Sequence, residues 1–97
     1  MSRVVVNTPQ PLDAQAAAER DKVQRSFGQR LRALRTSQQL TLEMLAERAD
    51  LHERYVGSVE RGERNLSLFN IWRLAHGLGI TTAELVQDLP KPAKARK

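Results

Sequence analysis

The chain has 97 residues, of which 16 are lysine or arginine and 11 are aspartate or glutamate, so its formal net charge is +5. Its length fits one domain, and its lack of cysteine excludes disulfides, thiolate nucleophiles and cysteine-ligated metals. The positive charge favours nucleic acid as a partner. No apolar run approaches the ~20 residues that a membrane span needs, and Val4–Val6 is too short for a signal sequence. These features predict a soluble protein without a membrane partner.

The two ends of the chain differ from its middle. Residues 1–12 contain Pro9 and Pro11, which break helices, and Val4–Val6 forms a strand only by pairing with another segment. Residues 90–97 are basic and lack large apolar side chains, which predicts a flexible tail. We therefore expect a flexible N-terminal arm at 1–20, part of which extends the first helix. A domain at 21–89 and the tail at 90–97 follow.

Between the arms the chain has no proline, and its apolar residues recur at spacings of three and four, which predicts helices and no strand. The first helix runs from about Asp13, its N-cap, to Ser37, or is broken near Asp21. A second helix begins after Thr41, whose side chain caps it. A third extends from about His52 to Arg61, with the next residue, Gly62, as its C-cap.

A fourth and a fifth helix complete the prediction. Ser67 caps the fourth, Gly79 ends it, and Thr81 or Thr82 caps a short fifth helix. The residues expected to face inward are Phe27, Leu31, Leu34, Leu42, Leu45, Ala46, Ala49, Leu51, Val56, Val59, Leu68, Ile71, Leu74, Ala75, Leu78, Leu85, Val86 and Leu89.

The stretch from Leu42 to Arg61 indicates two short helices joined by a tight corner, with Ala46 where their axes cross. The outward face of the second of these helices carries Glu53, Arg54, Tyr55, Gly57, Ser58 and Arg61. An exposed helix with short polar and arginine side chains fits a DNA major groove, which is about 12 Å wide.

An ordered set of motifs carries a resemblance to a known family. The set is Phe27-Gly28-Gln29-Arg30-Leu31-Arg32-Ala33-Leu34-Arg35, Leu45-Ala46-Glu47-Arg48-Ala49, Tyr55-Val56-Gly57-Ser58-Val59-Glu60-Arg61-Gly62, Arg64-Asn65-Leu66-Ser67-Leu68 and Leu74-Ala75-His76-Gly77-Leu78-Gly79. Over residues 25–89 the chain resembles the XRE-type helix-turn-helix family of Cro-like and phage-repressor-like DNA-binding domains. Residues 51–65 also resemble controller proteins of restriction–modification operons. The resemblance implies an all-α, five-helix bundle of the lambda-repressor-like type.

The resemblance also implies roles for individual residues. The third helix is the recognition helix, and the residues implied in DNA binding are Thr41, Glu53, Arg54, Tyr55, Gly57, Ser58, Arg61, Arg64 and Asn65. Thr41, Arg64 and Asn65 lie where the family contacts phosphates, and Tyr55 offers its hydroxyl to one. Arg35 and Glu60 match a largely buried ion pair that holds the recognition helix on the first helix.

Several of these residues have a simpler structural interpretation. Arg54 is otherwise a solvated surface residue, Tyr55 part of the rim of the core, and Asn65 a turn residue. Trp72 fits the core or an interface better than a base-stacking platform. The two histidines, His52 and His76, have no carboxylate at ligand spacing, so a helix cap and a surface residue are expected rather than a metal site.

Three positions depart from the family pattern. Leu42 replaces the usual glutamine at the start of the second helix, which removes one polar contact to the DNA backbone. Asp50 replaces the corner glycine; aspartate tolerates left-handed geometry better than most residues. His52 replaces a small hydroxyl residue as the cap of the third helix.

These observations predict a sequence-specific transcriptional regulator of the bacterial cytoplasm and nucleoid. It binds double-stranded DNA as a homodimer on an inverted-repeat operator. The candidates for the dimer interface are Leu66, Phe69, Leu85 and Leu89, which alternatively finish the monomer core. A protein-interaction module, such as an antitoxin or adaptor, is the alternative. No catalytic arrangement, cofactor motif or small-molecule site is apparent, so an enzyme is not expected.

Overall fold

The structure, a computed structural model, describes residues 11–92. Within that range the chain forms five helices and no strand, which confirms the predicted all-α bundle. The helices are α1 (Ala14–Ser37), α2 (Leu42–Ala49), α3 (Glu53–Glu60), α4 (Leu68–Leu78) and α5 (Thr82–Leu85). None of them is long and apolar enough to cross a membrane. The predicted Val4–Val6 segment and most of the basic tail lie outside the described residues.

Capping side chains define where every helix begins. The side-chain acceptors of Asp13, Thr41, Ser67 and Thr81 each bond a backbone N–H three residues later. In α3 the acceptor is Nδ1 of His52, which receives the N–H of Arg54 at 3.0 Å. Histidine therefore serves as the cap in place of the small hydroxyl residue that the family pattern leads one to expect.

α1 is continuous, so of the two alternatives for this segment the longer, unbroken helix is correct. The expected boundary between residues 20 and 21 lies inside it. The third helix is shorter than predicted: Arg61 is its C-cap, and Gly62 follows with a φ of 78°.

The core lies where α2 packs on α4 and α1 packs on α3. Its fully buried side chains are Leu31, Leu45, Leu74, Leu85, Val56 and Val59. One residue expected inside is exposed instead, and the exposure of a second residue, Trp72, decides between the core and an interface. Leu68 was predicted to face inward and is 75% exposed, because the buried residues of α4 begin only at Leu74. Trp72 is 54% exposed, which excludes the core as its position.

α1 crosses α3 at backbone contact distance. A Cβ built on Gly28 would overlap the carbonyl oxygen of Val59 and lie 2.5 Å from that of Glu60. Real Cβ atoms do not approach this closely, so only glycine allows the two helices to meet here. The crossing fixes α3, the helix that carries the candidate interface, directly on the longest helix of the fold.

Candidate nucleic-acid interface

The corner between α2 and α3 sets the position of the candidate recognition helix. Asp50, which stands where the family has glycine, adopts the left-handed conformation with φ 57° and ψ 47°. The N–H of Leu51 donates to the carbonyl of Ala46 at 2.9 Å, which closes the turn. Arg73 of α4 donates to the carbonyl of Asp50 at 3.2 Å. The corner is therefore held by its own backbone and by one arginine from outside.

An ion pair fastens α3 to α1. Arg35 Nε donates to Glu60 Oε2 at 2.6 Å, and Arg35 Nη2 donates to Oε1 at 3.0 Å. The side chains of Arg35 and Glu60 are only 12% and 7% exposed. Arg35 Nη1 also donates to the carbonyl of Leu40 at 2.8 Å, and the bonds to Glu60 raise the pKa of Arg35. The pair implied by the family resemblance is thus present, and its arginine also holds the chain that leads into α2.

Thr41 and the residues at the start of α3 face solvent. Thr41 is exposed, and its hydroxyl accepts the N–H of Met44 at 3.1 Å at the N-terminus of α2. Backbone N–H groups and the helix dipole favour an anion at such an end. Glu53 and Arg54 are exposed on the first turn of α3. Their side chains are therefore available to a molecule that covers this helix.

Two residues predicted on the outward face of α3 are buried instead. Ser58 is 4% exposed; its hydroxyl donates to the carbonyl of Tyr55 at 2.6 Å and accepts from Arg64 Nε at 2.9 Å. Gly57 is covered by the side chain of Arg61. The outward position expected for Ser58 is wrong, because a small hydroxyl meets its hydrogen-bonding needs against the backbone and the loop.

The loop after α3 presents Arg64 beside Tyr55. Arg64 Cζ lies 5.7 Å from the centre of the Tyr55 ring, close enough for a cation–π contact. The Tyr55 hydroxyl accepts from Asn70 Nδ2 at 3.1 Å. Its own hydrogen is then directed away from Asn70 and can be donated elsewhere. Asn65 is exposed in the same loop.

Arg61 and Glu63 form a second ion pair, on the surface. Arg61 Nε donates to Glu63 Oε2 at 3.0 Å, and the two side chains are 60% and 55% exposed. These hydrogen bonds raise the pKa of Arg61 and lower the pKa of Glu63. Both groups are therefore charged at neutral pH.

Sequence reasoning missed the two partners that orient the candidate contact residues. Glu63 binds Arg61 and Asn70 binds Tyr55, yet neither position was singled out. The two-residue spacing of Arg61 and Glu63 around Gly62 was a usable signal, whereas the 15-residue separation of Tyr55 and Asn70 gave none. Within residues 11–92 no group of three or more metal-ligating side chains occurs.

Comparisons with known proteins place this arrangement in a family. The sequence pattern of the helix-turn-helix family matches residues 31–85. The chain is 42% identical over 66 residues to Control protein C.MunI of a Mycoplasma species, a match that covers 67% of this chain and 89% of that protein. It is 41% identical over 61 residues to Control protein C.BamHI of Bacillus amyloliquefaciens, covering 62% and 75% of the two chains.

A solved structure agrees with the sequence comparison. The restriction-modification controller protein C.AhdI from Aeromonas hydrophila superposes with a TM-score of 0.61 at 49% identity, over 71% of this chain and 97% of that one. The matched part contains the corner, α3 and the loop that follows it. This chain therefore belongs to the XRE-type helix-turn-helix family and is a DNA-binding regulator of transcription.

Proposed function

We propose that the protein binds an inverted-repeat operator as a homodimer and that each α3 enters a major groove. The observation that carries the proposal is the exposed first turn of α3, where Glu53 and Arg54 extend from a helix fastened by the buried Arg35–Glu60 pair. Arginine reads guanine through two parallel hydrogen bonds, and a carboxylate accepts from the amino group of cytosine. Both residue types therefore suit direct reading of base edges.

The residues around α3 suit contacts to the DNA backbone. Thr41 lies at the N-terminus of α2, and Arg64 and Asn65 lie in the loop after α3. Tyr55 retains a hydroxyl hydrogen to donate. We assign phosphate contacts to these four residues, and we assign Ser58, through its bond to Arg64, the role of orienting that side chain.

An apolar patch on the first turns of α4 supports the homodimer. We define this dimer patch as Leu68, Phe69 and Trp72, which are 75%, 56% and 54% exposed. The rings of Phe69 and Trp72 stack at 5.9 Å, and Arg73 lies 4.3 Å from the centre of the Phe69 ring. Contiguous exposed aromatic residues are typical of protein interfaces.

The sequence-based candidates for the interface divide accordingly. Phe69 belongs to the dimer patch, whereas Leu85 is fully buried and finishes the core of its own subunit. Leu66 and Leu89 are half-buried and pack against that core. Trp72, for which the sequence left the core and an interface open, extends the patch, and so does Leu68, which was expected in the core.

The similarity to controller proteins supports control of an operon of that kind. The matched relatives are named as control proteins, and C.AhdI is a restriction-modification controller. We propose the same role for this chain in the bacterial cytoplasm, with no enzymatic activity, cofactor or small-molecule ligand. An antitoxin or adaptor with secondary DNA binding is the alternative.

Selection of binding sites from random duplexes tests the proposal. We expect an inverted repeat with half-site centres about 10 bp apart, because two recognition helices related by a two-fold axis meet grooves one turn, roughly 34–36 Å, apart. Sedimentation of Trp72→Glu should give monomers that bind the selected duplex weakly. A single non-palindromic site contradicts the docking, and a dimeric Trp72→Glu contradicts the dimer patch.

A further inference from the structure

One edge of the Arg61 guanidinium is occupied by Glu63. Nε donates to Oε2 at 3.0 Å, and Nη2 donates to Oε1 at 3.3 Å. Two parallel bonds to one carboxylate fix the plane of a guanidinium as well as its position. The remaining nitrogen, Nη1, has no hydrogen-bond partner among residues 11–92. The donors at the Nη1 end are therefore available to another molecule.

Gly57 provides the space in which this guanidinium lies. A helical side chain points back toward the N-terminus and covers the preceding turn, which for Arg61 contains Gly57. A Cβ built on Gly57 would lie 3.3 Å from Arg61 Nη1 and 3.7 Å from Leu42 Cδ1. Nη1 thus lies over Gly57, and a Cβ at position 57 would displace it by a few tenths of an ångström.

The guanidinium lies in the surface that faces the DNA in the proposed complex. Arg61 lines one depression together with Leu42, His52, Glu53, Arg54 and Gly57. Glu53, Gly57 and Arg61 follow one another at four-residue spacing, so they form one row along α3. Arg61 is therefore held toward the same side as the two exposed residues at the start of the helix.

We propose that Glu63 is a specificity-determining residue, which positions Arg61 over Gly57 so that its free end reads a guanine in each half-site. This inference rests on the proposed docking of α3 in the major groove. Guanine presents O6 and N7 side by side, the pair of acceptors that two arginine donors match. A flexible arginine at this position would instead reach the nearest phosphate, a contact that carries no sequence information.

The carboxylate of Glu63 favours the reading of guanine but lowers the affinity for DNA of any sequence. It lies on the surface beside groups assigned to DNA contact, so it repels phosphates whatever the sequence. Glu63 therefore lowers binding to all DNA while it raises the preference for guanine at one position. Loss of Glu63 should therefore raise the affinity for random DNA and lower the preference for guanine. A purely structural role would not change these two quantities in opposite directions.

The test compares Glu63→Gln with wild type on two duplexes by fluorescence anisotropy. One duplex is the operator that wild type selects from random sequences. The same selection with Arg61→Ala identifies the guanine that is no longer required without Arg61, and the second duplex has adenine in place of that guanine. Wild type should prefer the first by about 5- to 150-fold, the range of a good arginine–guanine pair. Arg61→Ala should lose this preference. Glu63→Gln should reduce it at least about threefold and bind a random duplex more tightly.

Two further variants separate positioning from charge. Asp21→Asn is the control for charge, because Asp21 is another exposed carboxylate and pairs with Arg20 at 2.9 Å. Asp21 also lines one groove together with Arg61 and Glu63. It should leave the guanine preference unchanged. Gly57→Ala should reduce the preference without unfolding the protein, because alanine favours a helix and its Cβ displaces Nη1.

The outcomes distinguish this inference from the docking on which it rests. A Glu63→Gln variant that keeps the full guanine preference overturns the role of Glu63, and so does an equal loss of preference in Asp21→Asn. An Arg61→Ala variant that selects the unchanged operator overturns the reading by Arg61. If wild type itself prefers no sequence, the proposed function fails together with this inference.

Discussion

The Arg35–Glu60 pair gives a sharp test of how α3 is held. Replacement of Glu60 by alanine leaves Arg35 with only the Leu40 carbonyl as an acceptor, in a site where its side chain is 12% exposed. Removing one partner of a fully buried pair costs about 3–5 kcal/mol. Because Arg35 keeps one bond and some contact with water, we expect the lower end of that range, about 3 kcal/mol.

A urea melt followed by circular dichroism measures this cost. With a denaturant slope of about 1–3 kcal/mol per molar, a loss of 3 kcal/mol lowers the midpoint by about 1–3 M. Glu63→Ala is the matched control, because it removes the same side chain from an arginine pair that is more than half exposed. Exposed pairs contribute little to stability, so the midpoint of this control should stay close to that of wild type.

A double substitution separates the stranded charge from the lost packing. Methionine at both positions removes the arginine together with its carboxylate, and buried pairs replaced by apolar residues often lose no stability. Arg35→Met with Glu60→Met should therefore regain much of the stability that Glu60→Ala loses. The reasoning is refuted if Glu60→Ala melts at the midpoint of Glu63→Ala, or if the double variant is less stable than Glu60→Ala.

Four further predictions follow from the interface and the fold. The slope of log K against log salt for the operator should be steep, about −0.9 per phosphate neutralised, and a nearly flat plot would contradict phosphate binding. Arg54→Ala should cost about 1–3 kcal/mol of binding free energy and relax the preference for one base in each half-site. Arg64→Ala should weaken binding to all sequences alike and make the salt slope shallower by about one unit. Identical selected sites for wild type and Arg54→Ala would argue against base reading by Arg54. Gly28→Ala should destabilise the fold by about 3 kcal/mol or more in a thermal melt, because its Cβ overlaps the backbone of α3. Gly79→Ala should cost only about 1–2 kcal/mol, because no atom lies within 4 Å of the new Cβ and only the φ of 70° is unfavourable. Equal costs for the two variants would count against the close crossing of α1 and α3. Hydrogen bonds from the N–H and hydroxyl of Thr81 lower the pKa of Glu84 in the folded protein. The ionised Glu84 therefore stabilises the fold fully above its pKa in the unfolded chain, and this stabilisation is lost as the pH falls through its pKa in the folded protein. Glu84→Gln should lose less stability in acid than wild type, and parallel profiles of stability against pH would contradict this.

Local chemistry explains which parts of the fold could be predicted from the sequence. A capping side chain acts on a backbone N–H two or three residues away, so Asp13, Thr41, Ser67 and Thr81 mark helix starts wherever the helices later pack. The spacing of apolar residues likewise identified the buried faces of the helices, as for Val56 and Val59.

Contacts between elements explain what could not be predicted. Periodicity gives the side of a helix that faces inward but not how far a neighbouring helix covers it, which is why Leu68 is exposed. Ser58 has a side chain small enough for either surface or interior, and only its bonds to Tyr55 and Arg64 decide between them. The bond from Asn70 to Tyr55 joins residues 15 positions apart on two different helices, and periodicity along one helix does not describe such a contact.

The backbone contact at Gly28 has a consequence for the DNA. Since no side chain separates α1 from α3 there, the recognition helix has no packing layer that could yield and let it tilt toward an ill-fitting half-site. In the proposed complex the double helix must then supply the adjustment by bending or by changing its groove width. Such deformation is easiest at pyrimidine–purine steps, so the base pairs between the half-sites would influence affinity although no side chain touches them.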